Sequence, residues 1–213
     1  MMMKRKAIFS FRVFLLTLLT LIFTAPEGEV MAQNRRQEVR KTRRKSRRVT
    51  RRVVRRTNRR IVRRVNRRAV RAHYRTLTPY RRVVTVVPTG HRVIVVRGRN
   101  YYFHRGVYYV KVTNGYRTVV GPRGARVVSL PADYVNVVQL NNRTYHYYYG
   151  TFYTKVDDGY EVTAPPAGAV VDDIPQGYEV VSEDDKEYYK IEDMYFEKVE
   201  NEGEEAFELV KTA

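Results

Sequence analysis

Prolines in this chain come in pairs at a fixed interval. Pro79, Pro122 and Pro166 stand 43 and 44 residues apart, and each is followed nine residues later by another, Pro88, Pro131 and Pro175. The text around them repeats as well: GPRGARVVSLPADYVNVV parallels PPAGAVVDDIPQGYEVV, and PYRRVVTVVPTGHRVIVV is a rougher copy. NYYFHRGVYYVKVTNGYRTVV likewise parallels TYHYYYGTFYTKVDDGYEVT, with a degraded third version in EYYKIEDMYFEKVENEGEEAFELV. Self-similarity at this period is the mark of one supersecondary unit copied in tandem. A chain of about 43 residues rarely folds alone, so the copies must pack on one another.

Within a copy the pattern is β. Runs of Tyr, Val, Phe and Thr are separated by RG, NG, YG and DG, and Asn-Gly or Asp-Gly between such runs signals a hairpin. The second copy predicts strands over Tyr134–Leu140, Thr144–Tyr149, Phe152–Val156 and Tyr160–Thr163. The expected fold is mainly β: three tandem meander units of three or four short strands, over 79–121, 122–165 and 166–213. Barrel, sandwich and row of small sheets all stay open at this level.

Pro131, Tyr134, Tyr147, Tyr148, Gly150, Phe152, Tyr153, Gly159, Tyr160, Pro165 and Pro166, with their equivalents in the first unit, carry a resemblance. The chain resembles an uncharacterised family of exported bacterial proteins, a domain of unknown function with repeated Pro-x-Gly-Tyr and Tyr-Tyr elements. The likeness covers about Pro79–Val181 and fades in the third unit, where Asp193 replaces a turn glycine. It implies export from a bacterial cytoplasm and a repeated β module, and it brings no activity with it.

Ahead of the repeats lies a segment of another kind. RRVTRRVVRRTNRRIVRRVNRRAVR, residues 47–71, has thirteen arginines and no acid. The net charge of +19 therefore conceals a division: residues 33–126 carry +30, and residues 127–213 carry −13, most of it in an acidic third unit. As a strand, each arginine pair would put a charge on both faces. As a helix, the pairs drift about 40° per four residues, leaving only a short stripe of Val54, Ile61, Val62, Val65 and Ala69. Like charges at i,i+4 oppose the helix. The segment 33–78 is therefore expected to be a disordered or conditionally helical arm that orders against a polyanion. Helical spacing gives one positive charge per about 3 Å, comparable to the phosphate spacing of a nucleic-acid strand. The candidate polyanion ligands are Arg43, Arg44, Arg47, Arg48, Arg51, Arg52, Arg55, Arg56, Arg59, Arg60, Arg63, Arg64, Arg67 and Arg68. Expected partners are anionic envelope lipid or polysaccharide, with nucleic acid as the alternative, and the acidic C-terminal unit of this or another copy as a further receiver of the arm.

Residues 1–32 read as a signal peptide. Lys4, Arg5 and Lys6 precede the apolar run Val13–Ala25, and Val30 and Ala32 are the small residues before a cut at Gln33. The run is short for a membrane span, which needs about 17–25 residues. Arginines close behind it favour retention on the cytoplasmic side, so an uncleaved inner-membrane anchor is the alternative to a periplasmic or cell-surface protein.

Chemistry finds little purchase. There is no cysteine, hence no thiol catalysis and no disulfide. With the turn glycines Gly106 and Gly150 matched, His104 aligns with Tyr148 and His146 with Tyr102, so no metal ligand repeats. The acids lack the spacing of a calcium loop. Ser129 and Ser182 lack a nucleophile-elbow context. The expectation is a non-catalytic protein without cofactor, metal or small-molecule substrate. The eighteen tyrosines offer one more candidate. Adjacent strand residues face opposite ways, so Tyr102, Tyr108, Tyr145, Tyr147, Tyr149 and Tyr153 are candidates for an exposed aromatic face that stacks on sugars or bases. Cross-strand aromatic pairing inside thin sheets is the competing reading.

Overall fold

A computed structural model describes residues 27–183 and 185–212; of residues 27–30 it gives the backbone alone. The chain is mainly β: one long helix followed by three five-stranded antiparallel sheets. The leader proposed for 1–32 falls largely outside the described residues, and its cut between Ala32 and Gln33 lies inside the helix. That helix, α1, runs from Glu27 to Thr76, so the arm proposed for 33–78 takes the helical alternative up to Thr76. The chain divides within α1 into one body ending at Asn58 and another beginning at Arg59.

The first sheet contains β1 (Val83–Val84), β2 (Arg92–Val96), β3 (Arg99–His104), β4 (Val107–Val112) and β5 (Gly115–Val119), in the order β1-β5-β4-β3-β2. The second repeats it with β6 (Arg126–Val127), β7 (Asn136–Leu140), β8 (Arg143–Tyr148), β9 (Thr151–Val156) and β10 (Gly159–Val162). The third does so with β11 (Val170–Val171), β12 (Glu179–Glu183), β13 (Lys186–Ile191), β14 (Met194–Asn201) and β15 (Glu204–Thr212). The four strands expected of the second unit are therefore present, shifted by at most two residues. Each sheet also has a fifth strand, two residues long, pairing with the last of the meander.

That short strand follows the first proline of each pair. The N–H groups of Arg82, Ala125 and Ala169 close a turn onto the carbonyls of Pro79, Pro122 and Pro166 at 3.1, 3.0 and 3.2 Å. The same turn then pairs with the end of the meander. Arg81, Gly124 and Gly168 donate to the carbonyls of Thr118, Val162 and Leu209, which in turn donate to those of Arg82, Ala125 and Ala169. The left-handed residue at this turn is Arg81, Gly124 or Gly168, with φ of 62°, 86° and 84°. Proline at the turn's first corner costs nothing there, because its missing N–H has no strand to serve.

The hairpin glycines of NG and DG have a second duty. Gly115 and Gly159 sit at φ 135° and 143°, and a Cβ on either would overlap the carbonyl oxygen of Val84 or Val127 in the short strand. Only glycine admits that crossing. In the third unit the hairpin is longer, with strands of 8 and 9 residues, and it turns at Glu202–Gly203 instead. The loss of a glycine at Asp193 has therefore not degraded the unit: Glu192 takes φ 53° and the full sheet forms.

Each unit touches the other two. The Gly121 N–H donates to Thr151 Oγ1 at 2.9 Å across the first joint. Asn136 and Asp172 exchange hydrogen bonds across the second. The Tyr80 N–H donates to the Gln176 carbonyl at 2.7 Å across the third. The three sheets thus share one core, in which Tyr108, Tyr147, Phe152, Tyr153, Ile191, Phe196 and Leu209 are all buried. A module too small to hide its own apolar surface has hidden it against its copies.

Candidate functional site

The candidate site begins with α1, because the sequence concentrates charge there. In the body that ends at Asn58, every residue from Met31 onward is exposed, apolar ones included, such as Val49, Val53 and Val54. Between Met31 and Asn58 the one acid is Glu38, and none of the arginine pairs from Arg43 and Arg44 through Arg55 and Arg56 forms an ion pair among the described residues. Arg59 and Arg60 are exposed as well. Like charges along such a helix repel, so a chain of phosphates or carboxylates would relieve it.

The last turns of α1 behave differently. Val70 and Tyr74 are buried at 3% and 1% exposure, and Arg67 at 7%. The Tyr74 ring meets Tyr148 and Tyr149 edge-on, with centroids 5.6 and 5.1 Å away, and its hydroxyl accepts the Tyr149 N–H at 2.9 Å. His73 stacks on Tyr134 at 3.7 Å, and its Nε2 lies 2.8 Å from the Tyr148 hydroxyl. Residues 67, 70 and 74 follow i, i+3, i+7 and share one face. The stripe expected from apolarity alone is elsewhere: Val54, Ile61, Val62 and Val65 are exposed. The Tyr74 ring outweighs a row of valines because it meets the Tyr148 and Tyr149 rings, which the valines do not reach.

The third unit receives the arginines of this stretch. Arg63 pairs with Glu202, Arg64 with Glu204 at 3.1 Å, and Arg68 with Glu204 at 3.6 Å. Arg67 donates from Nε to Asp172 Oδ1 at 2.9 Å and to the Asn201 carbonyl, and Arg71 donates to the Glu205 carbonyl. Four of the fourteen candidate polyanion ligands, Arg63, Arg64, Arg67 and Arg68, therefore already have carboxylates. Sequence reasoning put them in one class with the rest because the RR-tetrad has no seam where its partner changes. The acidic third unit was the available signal.

The tyrosine face needs correction. Tyr108, Tyr147, Tyr149 and Tyr153 are buried at 1, 0, 6 and 0% exposure, while Tyr102 and Tyr145 are half-buried. Strand alternation does send neighbours to opposite faces, but here both faces are covered, one within the unit and the other by the adjoining unit or the end of α1. What repeats is cross-strand pairing. Phe103 and Tyr108, Tyr147 and Phe152 lie at 4.9 and 4.8 Å with nearly the same tilt. The third unit has Lys190 over the Tyr195 ring at 5.0 Å in the same place. A second triplet is Tyr102–Tyr116, His146–Tyr160 and Tyr189–Phe207, all edge-to-face. His146 thus occupies a tyrosine's place, as the matched glycines imply. No group of residues that could hold a metal ion occurs among the described residues.

Burial pushes the hydroxyls of Tyr74, Tyr147 and Tyr153 well above the ordinary tyrosine value, and those of Tyr108, Tyr148 and Tyr149 upward too; Tyr80 is pushed up to about 12. A group whose folded value is raised contributes stability that is complete below the unfolded value, about 10 for tyrosine, and lost as pH climbs through the folded one. The tyrosines' contribution to stability is therefore expected to be constant below about pH 10 and to be lost above it, with cooperative unfolding. Titration followed by tyrosinate absorbance checks this: buried tyrosines should ionise together with loss of β circular dichroism, and gradual independent ionisation would contradict it.

The sequence matches the model of a family described as "Family of unknown function (DUF6515)" over residues 37–213. The chain belongs to this family. The matched stretch is wider than the repeats that carry the resemblance. It takes in most of α1 and the whole third unit, so helix and sheets belong to one family module. No curated protein and no solved structure matches the chain. Among the described residues, no helix is long and apolar enough to cross a membrane.

Proposed function

We propose that this chain is a non-catalytic, exported cell-envelope protein whose basic helix holds anionic polymers or lipid headgroups, with the three-sheet body as its mount. One observation carries the reading: the helix up to Arg60 is exposed all round and its arginines lack carboxylate partners among the described residues, while from Arg63 onward acids of the third unit take them up. The body thus uses its own carboxylates to seat one end of the helix and leaves the other end's charge for something else. Valine rather than tryptophan or leucine between the arginines argues for adhesion to headgroups over deep insertion. Export rests on the leader and the family resemblance. The nucleic-acid alternative asked for tyrosines free to stack on bases, and the burial of four of the six candidates weakens that half of it.

The test is co-sedimentation of the full chain with vesicles of anionic lipid or with an anionic envelope polysaccharide, against neutral vesicles. Binding should fall steeply with salt, and Arg→Gln at Arg43, Arg44, Arg47, Arg48, Arg51, Arg52, Arg55 and Arg56 should weaken it severely without changing the β circular dichroism. Salt-independent binding, or full binding by that variant, would refute the reading. A mature chain that does not start near Gln33 would refute its export half.

A further inference from the structure

The repeat permits one part of the molecule to be compared with another. At the joints of the first unit with the second and of the second with the third, the first long strand of one unit faces the short strand of the next. Strand register makes Arg92, Asn136 and Glu179 equivalent, through their partners Phe103, Tyr147 and Lys190. It likewise makes Thr85, Val128 and Asp172 equivalent, since each follows the residue opposite Tyr116, Tyr160 or Phe207. At the joint of the second and third units these positions hold Asn136 and Asp172, bonded to each other, and Asp172 also accepts from Arg67 of the helix. That groove has Asp133, Asp172 and Glu202 among its walls. It is an acidic groove with a basic helix in it.

The equivalent groove at the joint of the first and second units, about 820 Å³, is inverted in charge. Arg92 replaces the asparagine, and the exposed Val128 replaces the aspartate. Arg105 and Arg126 join Arg92 on the walls, and no carboxylate lines it. Arg126 donates to Glu161 at 2.6 Å; Arg92 and Arg105 form no ion pair among the described residues. The interior is apolar and aromatic: Ile94, Phe103 and Tyr134, the last held flat against His73. The helix contributes His73 to this groove and no arginine. These walls belong to strands and a tight turn, so the guanidinium groups are mounted on rigid backbone.

We infer that the groove between the first and second units binds an acidic saccharide: Arg92 and Arg105 fork onto its carboxylate or ester oxyanion, and its ring lies on the apolar floor beside Tyr134. Bidentate arginine is the natural partner of a planar oxyanion, and an aromatic wall with wet edges suits a sugar ring better than an extended peptide, whose backbone amides would go unpaired here. The helix takes any polyanion by charge density. The groove reads a single residue by shape, and it does so independently of the helix.

The experiment is titration calorimetry of the full chain with a galacturonate trisaccharide, its neutral galactose counterpart and an acidic hexapeptide as probes. The double variant Arg92→Gln/Arg105→Asn removes the forks while keeping asparagine at the left-handed turn position, φ 46°. Both side chains are exposed and unpaired, so the fold should survive, and circular dichroism verifies it. Expected is binding of the acidic trisaccharide alone, weakened about tenfold or more by the double variant and unchanged by Arg51→Gln/Arg52→Gln/Arg55→Gln/Arg56→Gln in the helix. Equal binding of the neutral sugar, preference for the acidic peptide, no binding by any probe, or loss that follows the helix variant instead, would each overturn the groove assignment. The last would leave the proposal for the helix standing.

Discussion

Tyr74→Ala is expected to cost the three-sheet body about 3–5 kcal/mol, the range for removing a fully buried aromatic. Tyr74 belongs by sequence to the arginine-rich segment, but its ring sits against Tyr148 and Tyr149 at the centre of the shared core. Truncation leaves a cavity and deprives the Tyr149 N–H of its acceptor. Tyr74→Phe keeps the rings in contact and should lose about 1–3 kcal/mol, the cost of the Tyr149 N–H left without its acceptor. Val54→Ala, on the exposed part of the same helix, should stay within about 0.5 kcal/mol. Urea unfolding followed by circular dichroism measures all three. The same logic extends to truncation: a chain beginning at Arg59 should fold, and one beginning at Pro79 should not. If Pro79–Ala213 proves as stable alone as with the helix, the seat described for Tyr74 is wrong.

Arg67→Met should be the second most damaging change, at about 3 kcal/mol. The Arg67 side chain is 8% exposed and that of Asp172 is 22%, so removing the cation strands a largely desolvated carboxylate and the Asn201 carbonyl together. Asp172 keeps Asn136 as a donor, which softens the loss without replacing a charge. Arg67→Met combined with Asp172→Asn should recover much of the stability, because the carboxylate that was left behind is now neutral. Arg63→Met is the control. Its side chain is 62% exposed, where an ion pair is worth less than about 1 kcal/mol. A double-mutant cycle in urea reads the coupling between Arg67 and Asp172 directly, and a coupling near zero would mean that the pair is screened.

Both expectations concern residues whose importance the sequence conceals. The RR-tetrad continues through Arg67 and Arg68 without a break, so Arg67 looks like Arg51. Helical periodicity alone points to Ile61, Val62 and Val65, which are exposed. Opposite charge in the third unit did hint at a receiver for the arm, though not at which arginines it takes.

Much of the β architecture was legible in the chain. Paired prolines at 43 and 44 residues repeat three times, and hairpin dipeptides between Tyr- and Val-rich runs and matched glycines recur in the first two units, so chemistry with a range of a few residues specifies the sheets, their turns and the mismatch of His104 with His146. Tertiary structure decided which tyrosines face the core and where the arm stops being an arm. Alternation along a strand says that Tyr147 and Tyr148 point opposite ways, but only the neighbouring unit and the end of α1 determine that both directions are inward. Burial depends on what arrives from outside a segment, and no segment records that for itself.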